Sequence, residues 1–331
     1  MMANHKWNPG ELLELSGYFW KTCTLHAAVK LDVFTCLGEE QLASTEVSES
    51  LKTSSRGMER LLNALVAMEL LTKADDKYAN TSSAREFLSK DSPKYLGNII
   101  MHHHHLVESW SQLDKCIQSG QAIRERSRFK DKEWRESFLM GMFNMAMNMA
   151  PMLVPKIDIS SRRHLLDLGG GPGTYAIHFC RHNPQLKATV FDLHTTRPFA
   201  EKTIARFELS DRINFVEGNY LKDDIEGRFD AAWLSHILHG ESPEGCKTII
   251  QKAISALEPG GIIIIHDFIL NNSMDGPLFP ALFSLNMLLG TDGQAYSERQ
   301  IMDMLTDAGV KEIQRLAVRT PNDSGIITAI V

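Results

Sequence analysis

In the stretch HLLDLGGGPGTYAIHF, His164 to Phe179, an apolar run is followed by Gly-Gly-Gly-Pro-Gly at 169–173, and a helix-like pattern resumes at Tyr175. Glycine lets a backbone turn with positive φ and come close to a ligand that a side chain would block. A strand, a glycine loop and a helix in that order form a nucleotide site. The dinucleotide version reads G-x-G-x-x-G, with an acidic residue roughly 20 residues further on. Here Gly169, Gly171 and Gly173 give G-x-G-x-G, and Thr174 stands where the third dinucleotide glycine belongs. Asp192 closes the next apolar run, KATVFDL. A carboxylate there accepts from ribose hydroxyls of any adenosine cofactor, so the loop alone does not choose between NAD and S-adenosylmethionine.

The elements around this loop narrow the choice. From about residue 160 apolar runs alternate with helices or turns: HLLDL, KATVFDL, INFVEGNYL, FDAAWLSHIL and GGIIIIHDFIL. That rhythm predicts a doubly wound parallel α/β sheet, whose ligands bind beyond the carboxyl ends of the strands. VKEIQRLAV and SGIITAIV are separated only by RTPND, too short for a crossover helix, so the sheet closes with an antiparallel hairpin. Residues before about 155 read as nearly all helix, with LHAAVKLDVFTCL and GMERLLNALVAMELL as amphipathic runs. LLTKADDKYANT follows as a small hairpin turning at Asp75-Asp76, which makes the front of the chain winged-helix-like. A winged helix raises DNA binding, but residues 41–90 hold seven Lys and Arg against seven Asp and Glu. A DNA reader needs a basic face. The balance favours packing or dimerisation.

Two runs invite metal or ligand readings. In MHHHHLVESW successive helical residues point about 100° apart, so the four histidines cannot converge, and only His102 and His105 share a face. FLMGMFNMAMNMAPML is a methionine stripe that reads as core and leads into the glycine loop, where it could roof the site. The chain has 331 residues, 43% hydrophobic and 23% charged, with net charge −6, which argues against a polyanionic partner. The five cysteines, Cys23, Cys36, Cys116, Cys180 and Cys246, lack any C-x-x-C pairing, a reduced pattern without a zinc site. No signal peptide is evident, and no apolar stretch approaches the ~18 residues of a membrane span. The expectation is a cytoplasmic protein.

EPGG before the fifth strand, the terminal hairpin and G-x-G-x-G with Asp192 together resemble class I S-adenosylmethionine-dependent methyltransferases. The whole chain resembles the metal-independent small-molecule O-methyltransferases typified by hydroxyindole and caffeate O-methyltransferases. The resemblance covers LHAAVKLDVF…ERLLNALVAMELL, DLGGGPGTYA and SHILHGESPEGC. It implies a helical winged-helix-like dimerisation domain over 1–110, a helical connector over 111–160 that contributes to the substrate pocket, and a Rossmann-like methyltransferase domain over 161–331. It also implies a homodimer, S-adenosylmethionine as cofactor, no metal, and a small aromatic or fused-ring acceptor with a hydroxyl group. Gly169 and Gly171 would face the cofactor's methionine portion, and Asp192 its ribose. Where the family has Gly-Asp, VEGNYL has Asn219, whose amide oxygen would accept from adenine, with Tyr220 packing on the ring. Ser235 stands where plant relatives carry lysine.

The implied chemistry is displacement of methyl from a sulfonium by an oxygen. A phenolic hydroxyl titrates near pH ~10, so it needs a base, and histidine suits that task. His239 follows the fourth strand and matches the family's catalytic histidine, and His236 is the competing candidate three residues earlier. Asp267 matches the carboxylate that orients the base. The family's second carboxylate is missing: GQAYSERQ puts Ala295 there and displaces Glu298. Gly240 and Glu241 also replace the usual Asp-Trp after the histidine. Carbon or nitrogen methylation on the same scaffold, and a cofactor-binding DNA regulator, are the alternatives.

Overall fold

The computed structural model describes residues 5–123, 132–318 and 320–331. The chain divides into two compact units, Met1–Leu106 and Val107–Val331.

The first unit opens with the helix Pro9–Lys30, set by a capping box in which Asn8 accepts from Glu11 N–H and Glu11 reaches back to Asn8 N–H. Helices Ser44–Ser50 and Ser55–Ala67 lie between the first and second strands of a small sheet. Its strands are β1 (Leu42–Ala43), β2 (Leu71–Ala74) and β3 (Lys77–Asn80), ordered β1-β3-β2. Asp75 and Asp76 take positive φ at the β2–β3 turn, a conformation Asp tolerates better than most residues. Phe34, Leu37, Leu62, Leu65 and Tyr78 form the core. Leu13, Phe19 and Trp20 on the first helix are 74%, 61% and 70% exposed in the isolated chain, a large uncovered apolar face. The histidine run lies on the helix Gly97–Trp110. Across this unit His104 sits 5.6 Å from the ring of His26 and 3.3 Å from Lys30 Nζ. Burial, then the charge of its histidine neighbours, pushes His26 down to about 4.

The second unit is built on one large sheet. Strands β4 (His164–Leu168), β5 (Lys187–Asp192), β6 (Ile213–Glu217), β7 (Phe229–Ser235) and β8 (Leu257–Leu270) pair in parallel. The two-residue β9 (Tyr296–Ser297) pairs with the end of β8. β10 (Lys311–Leu316) and β11 (Ser324–Ile330) form the antiparallel closing hairpin, giving the order β10-β11-β8-β7-β4-β5-β6. The order reverses between β4 and β7, which opens the crevice used by ligands of such sheets. EPGG does not precede β8 but lies inside it, where Gly260 takes φ 79° and the register with β7 shifts.

The methionine-rich segment is the helix Lys132–Leu153. Contrary to expectation, Trp134–Lys156 is long and apolar enough, by length and composition alone, to cross a membrane. Ala150, Leu153 and Val154 nevertheless pack with Ala176, Phe179 and Cys180 in the core under the sheet, and Asn144 and Asn148 interrupt the run. Methionine, apolar and uncharged, fills much of that helix.

Candidate active site

The site lies at the carboxyl ends of β4, β5, β7 and β8. After β4 the chain turns through Gly169, Gly171 and Gly173, all with positive φ, into the helix Thr174–His182. A Cβ on Gly169 would stand 2.7 Å from Ile237, whereas one on Gly171 would meet nothing within 4 Å. The second position therefore opens onto free space, a backbone cradle that a side chain would fill. Gly173 is the tight-packing position, its missing Cβ 3.3 Å from Val190 on β5. Thr174 is buried as the first residue of the helix.

Asp192, at the tip of β5, borders that cradle. Its carboxylate accepts from Gly171 N–H at 2.8 Å, Leu193 N–H at 2.6 Å and Thr196 Oγ1 at 3.1 Å. Burial raises its pKa while these donors pull it back. Beyond β6, Asn219 Oδ1 already accepts from Leu221 N–H at 2.9 Å, so the amide oxygen brings only its second lone pair to any ligand. Tyr220 lies near Gly169, and its hydroxyl is 3.2 Å from Glu241 Oε1. Ser235 Oγ is 2.9 Å from the buried His266 Nδ1, whose Nε2 is 3.0 Å from Ser324.

His239 sits in the 3-10 turn Leu238–Gly240 that follows β7. Its Nδ1 is 2.6 Å from Oδ1 of Asp267, which is buried on β8, and its backbone N–H reaches Oδ2 at 3.3 Å. Burial pushes the Asp267 carboxyl up, but it is outweighed by the pull and hydrogen bond of His239, with His236 adding attraction. The carboxyl is thus held well below the usual range. A carboxylate at Nδ1 keeps the proton on that nitrogen and leaves Nε2 with its lone pair. His236 Nδ1 lies 3.6 Å from the same Oδ1, too far to hydrogen-bond. The structure therefore couples His239 more closely than His236 to the acid.

Around this pair stands an aromatic wall. Phe268 stacks near His239 at 5.6 Å, and Phe283 meets it edge-on at 4.8 Å. Phe279 extends the group on the helix Leu278–Leu288. Ala295 is buried with Phe268 and Leu270. Glu298 is ion-paired with Arg315. Gly293 packs so closely on the turn that its Cβ would fall 2.0 Å from the His239 carbonyl.

Reading β4 as an apolar run overlooks Asp167, a carboxyl buried in that strand 2.6 Å from where a Gly170 Cβ would sit. An acid inside a strand buried on both faces was the available signal. Burial foremost, with Asp192 adding repulsion, raises its pKa to about 7, against the hydrogen bond from Ala176 N–H. Its unfolded value is near ~3.9, so between those limits the folded state holds the extra proton. Stability is then present at low pH and lost as pH rises toward 7. Asp167→Asn, measured without added cofactor, should gain thermal stability over the parent between pH 5 and 7, by up to a few kcal/mol. A gap that does not change with pH would show that Asp167 keeps its charge in the fold.

The family model of the O-methyltransferase domain matches residues 119–311. The chain belongs to the O-methyltransferase family. The model of the O-methyltransferase dimerisation domain matches residues 13–90, within the unit that carries the small three-stranded sheet. Among relatives, the 3-hydroxy-5-methyl-1-naphthoate 3-O-methyltransferase of Streptomyces sahachiroi is 30% identical, covering 97% of this chain and 95% of its own. The tetracenomycin polyketide synthesis 8-O-methyl transferase of Streptomyces glaucescens is also 30% identical, covering 97% of each chain. Human N-acetylserotonin methyltransferase, solved with S-adenosylmethionine, superposes with TM-score 0.88 at 25% identity over 99% of each chain. As an O-methyltransferase of this family the protein is an enzyme, and S-adenosylmethionine is its methyl donor.

Proposed function

We propose that this O-methyltransferase methylates a hydroxyl on a flat aromatic or fused-ring molecule, with His239 as general base and Asp267 as the residue that orients it. The observation that carries this reading is the 2.6 Å contact between His239 Nδ1 and Asp267, set beside Phe268 and Phe283. The naphthoate and tetracenomycin relatives support the acceptor class. Bound S-adenosylmethionine supplies an electrophilic methyl group on a sulfonium. The open cradle at Gly171 and the Asp192 carboxylate would hold its methionine and ribose portions, and Tyr220 and Asn219 would face its adenine. His239 Nε2 removes the acceptor's proton, Asp267 supports the imidazolium that forms, and the phenylalanines hold the ring plane and exclude water.

The protein acts as a homodimer through the unit before about residue 110. The exposed Leu13, Phe19 and Trp20 within the dimerisation-domain match support that assembly. Residues 111–160 form the connector and 161–331 the catalytic domain. Five free cysteines fit a reducing, cytoplasmic setting.

Transfer of labelled methyl to a panel of phenols, naphthols and polycyclic hydroxyaromatics tests the acceptor class. Product with fused-ring hydroxyls and none with aliphatic alcohols is expected. Transfer confined to amines would overturn the acceptor assignment. In calorimetry Asp192→Ala should weaken S-adenosylhomocysteine binding by ~1.5–3 kcal/mol, the usual cost of losing a charge-assisted hydrogen-bonding group. Unchanged affinity would remove Asp192 from the ribose site.

A further inference from the structure

His236 has no task in the chemistry above, yet its placement is costly. It is a non-glycine residue at φ 55°, pinned there by its N–H donating to the His266 carbonyl at 2.8 Å. Its ring packs at 4.4 Å against both His266 and Phe268. The shielded Nδ1 has no hydrogen-bond partner and lies 3.6 Å from Asp267 Oδ1. His236, His239 and Asp267 are the one group of three such side chains, among the described residues, whose ligand atoms lie within 4.8 Å of one another.

We infer that these three side chains form an inhibitory site for a divalent transition metal, with Zn²⁺ as its type. Two imidazoles and a carboxylate suit zinc, cobalt, nickel or copper rather than magnesium or calcium. A tetrahedral ion with bonds of about 2.0–2.1 Å keeps its ligand atoms roughly 3.3 Å apart. The His236–Asp267 separation of 3.6 Å is already close to that, the His239–Asp267 contact of 2.6 Å has to open by under 1 Å, and the two histidine nitrogens, within 4.8 Å of each other, have to close by up to about 1.5 Å. Water takes the fourth position. The metal displaces the proton from His239 Nδ1, and the neutral ring then carries its proton on Nε2, so no net proton is released. Coordination thus inverts the tautomer of the base: the nitrogen that faces the acceptor becomes a donor. This inhibitory effect rests on His239 being the base, whereas metal binding itself does not.

Cobalt(II) added to the metal-depleted enzyme reads the site without turnover. We expect visible d–d absorption of a low-coordinate N/O site, with no near-ultraviolet thiolate band from the free cysteines. Micromolar Zn²⁺ should inhibit methyl transfer, a chelator should reverse it, and Mg²⁺ should have no effect. His236→Phe keeps an aromatic ring against Phe268 but lacks the ligand. It should turn over within a few-fold of the parent, while needing at least ten-fold more Zn²⁺ for half inhibition and losing the cobalt spectrum. No cobalt absorption in the parent, or equal zinc sensitivity in His236→Phe, overturns the site. Cobalt bound through His236 with turnover unimpaired overturns the inhibitory role and counts against His239 as base.

Discussion

His239→Ala lowers kcat by a factor of roughly 10²–10⁴, the usual worth of a positioned general base. The affinity for S-adenosylhomocysteine barely changes, because the carboxylate and glycine positions expected to hold the cofactor are on β4 and β5. His236→Ala does much less, since its nitrogen is not hydrogen-bonded to the acid. Single-turnover kinetics with a verified acceptor separates this loss from slow product release. Parent-like kcat in His239→Ala would leave proximity and orientation as the main source of catalysis.

Asp267→Asn is the second large effect, and it acts without removing the base. The amide is isosteric with the carboxylate but offers one oxygen, whereas Phe268 N–H and His239 Nδ1 share Oδ1 and His239 N–H uses Oδ2. With the amide oxygen at the Oδ1 position the contact to Nδ1 survives only as a neutral hydrogen bond, and the amide nitrogen is set against the His239 N–H. The variant also loses the charge that supports the imidazolium. We expect kcat to fall by about 10²–10⁴, as when a triad aspartate is neutralised. Cofactor affinity should stay near the parent, whereas the melting temperature should fall, because a buried carboxyl held below its usual range stabilises the fold through its charge. A loss below ten-fold would mean that the contact positions the turn but takes no part in proton transfer.

What the sequence made legible was whatever depends on strand ends. The alternating apolar runs put Gly169, Asp192, His239 and Asp267 at carboxyl termini, and the structure places them there because parallel strands share a direction. Asp75-Asp76 announced its turn through local backbone preference. Contacts between distant residues were not legible. The pairing of Glu298 with Arg315 and the tie of Asn219 to Leu221 depend on where loops fall once the sheet has formed. Asp167 escaped because an apolar count averages over one polar residue, although that residue is the informative one.

The fit of Gly293 against the His239 carbonyl joins two things an enzyme family would gain by keeping apart. The loop that bears Gly293 follows the helix carrying Phe279 and Phe283, and Ala295 N–H is tied back to Ser284 on that helix. Helix, loop and the turn that bears His239 are therefore tied together by close packing and a hydrogen bond. Under the proposed function, reshaping the aromatic wall for a bulkier acceptor would displace the His239 ring as well, so acceptor range and rate would change together.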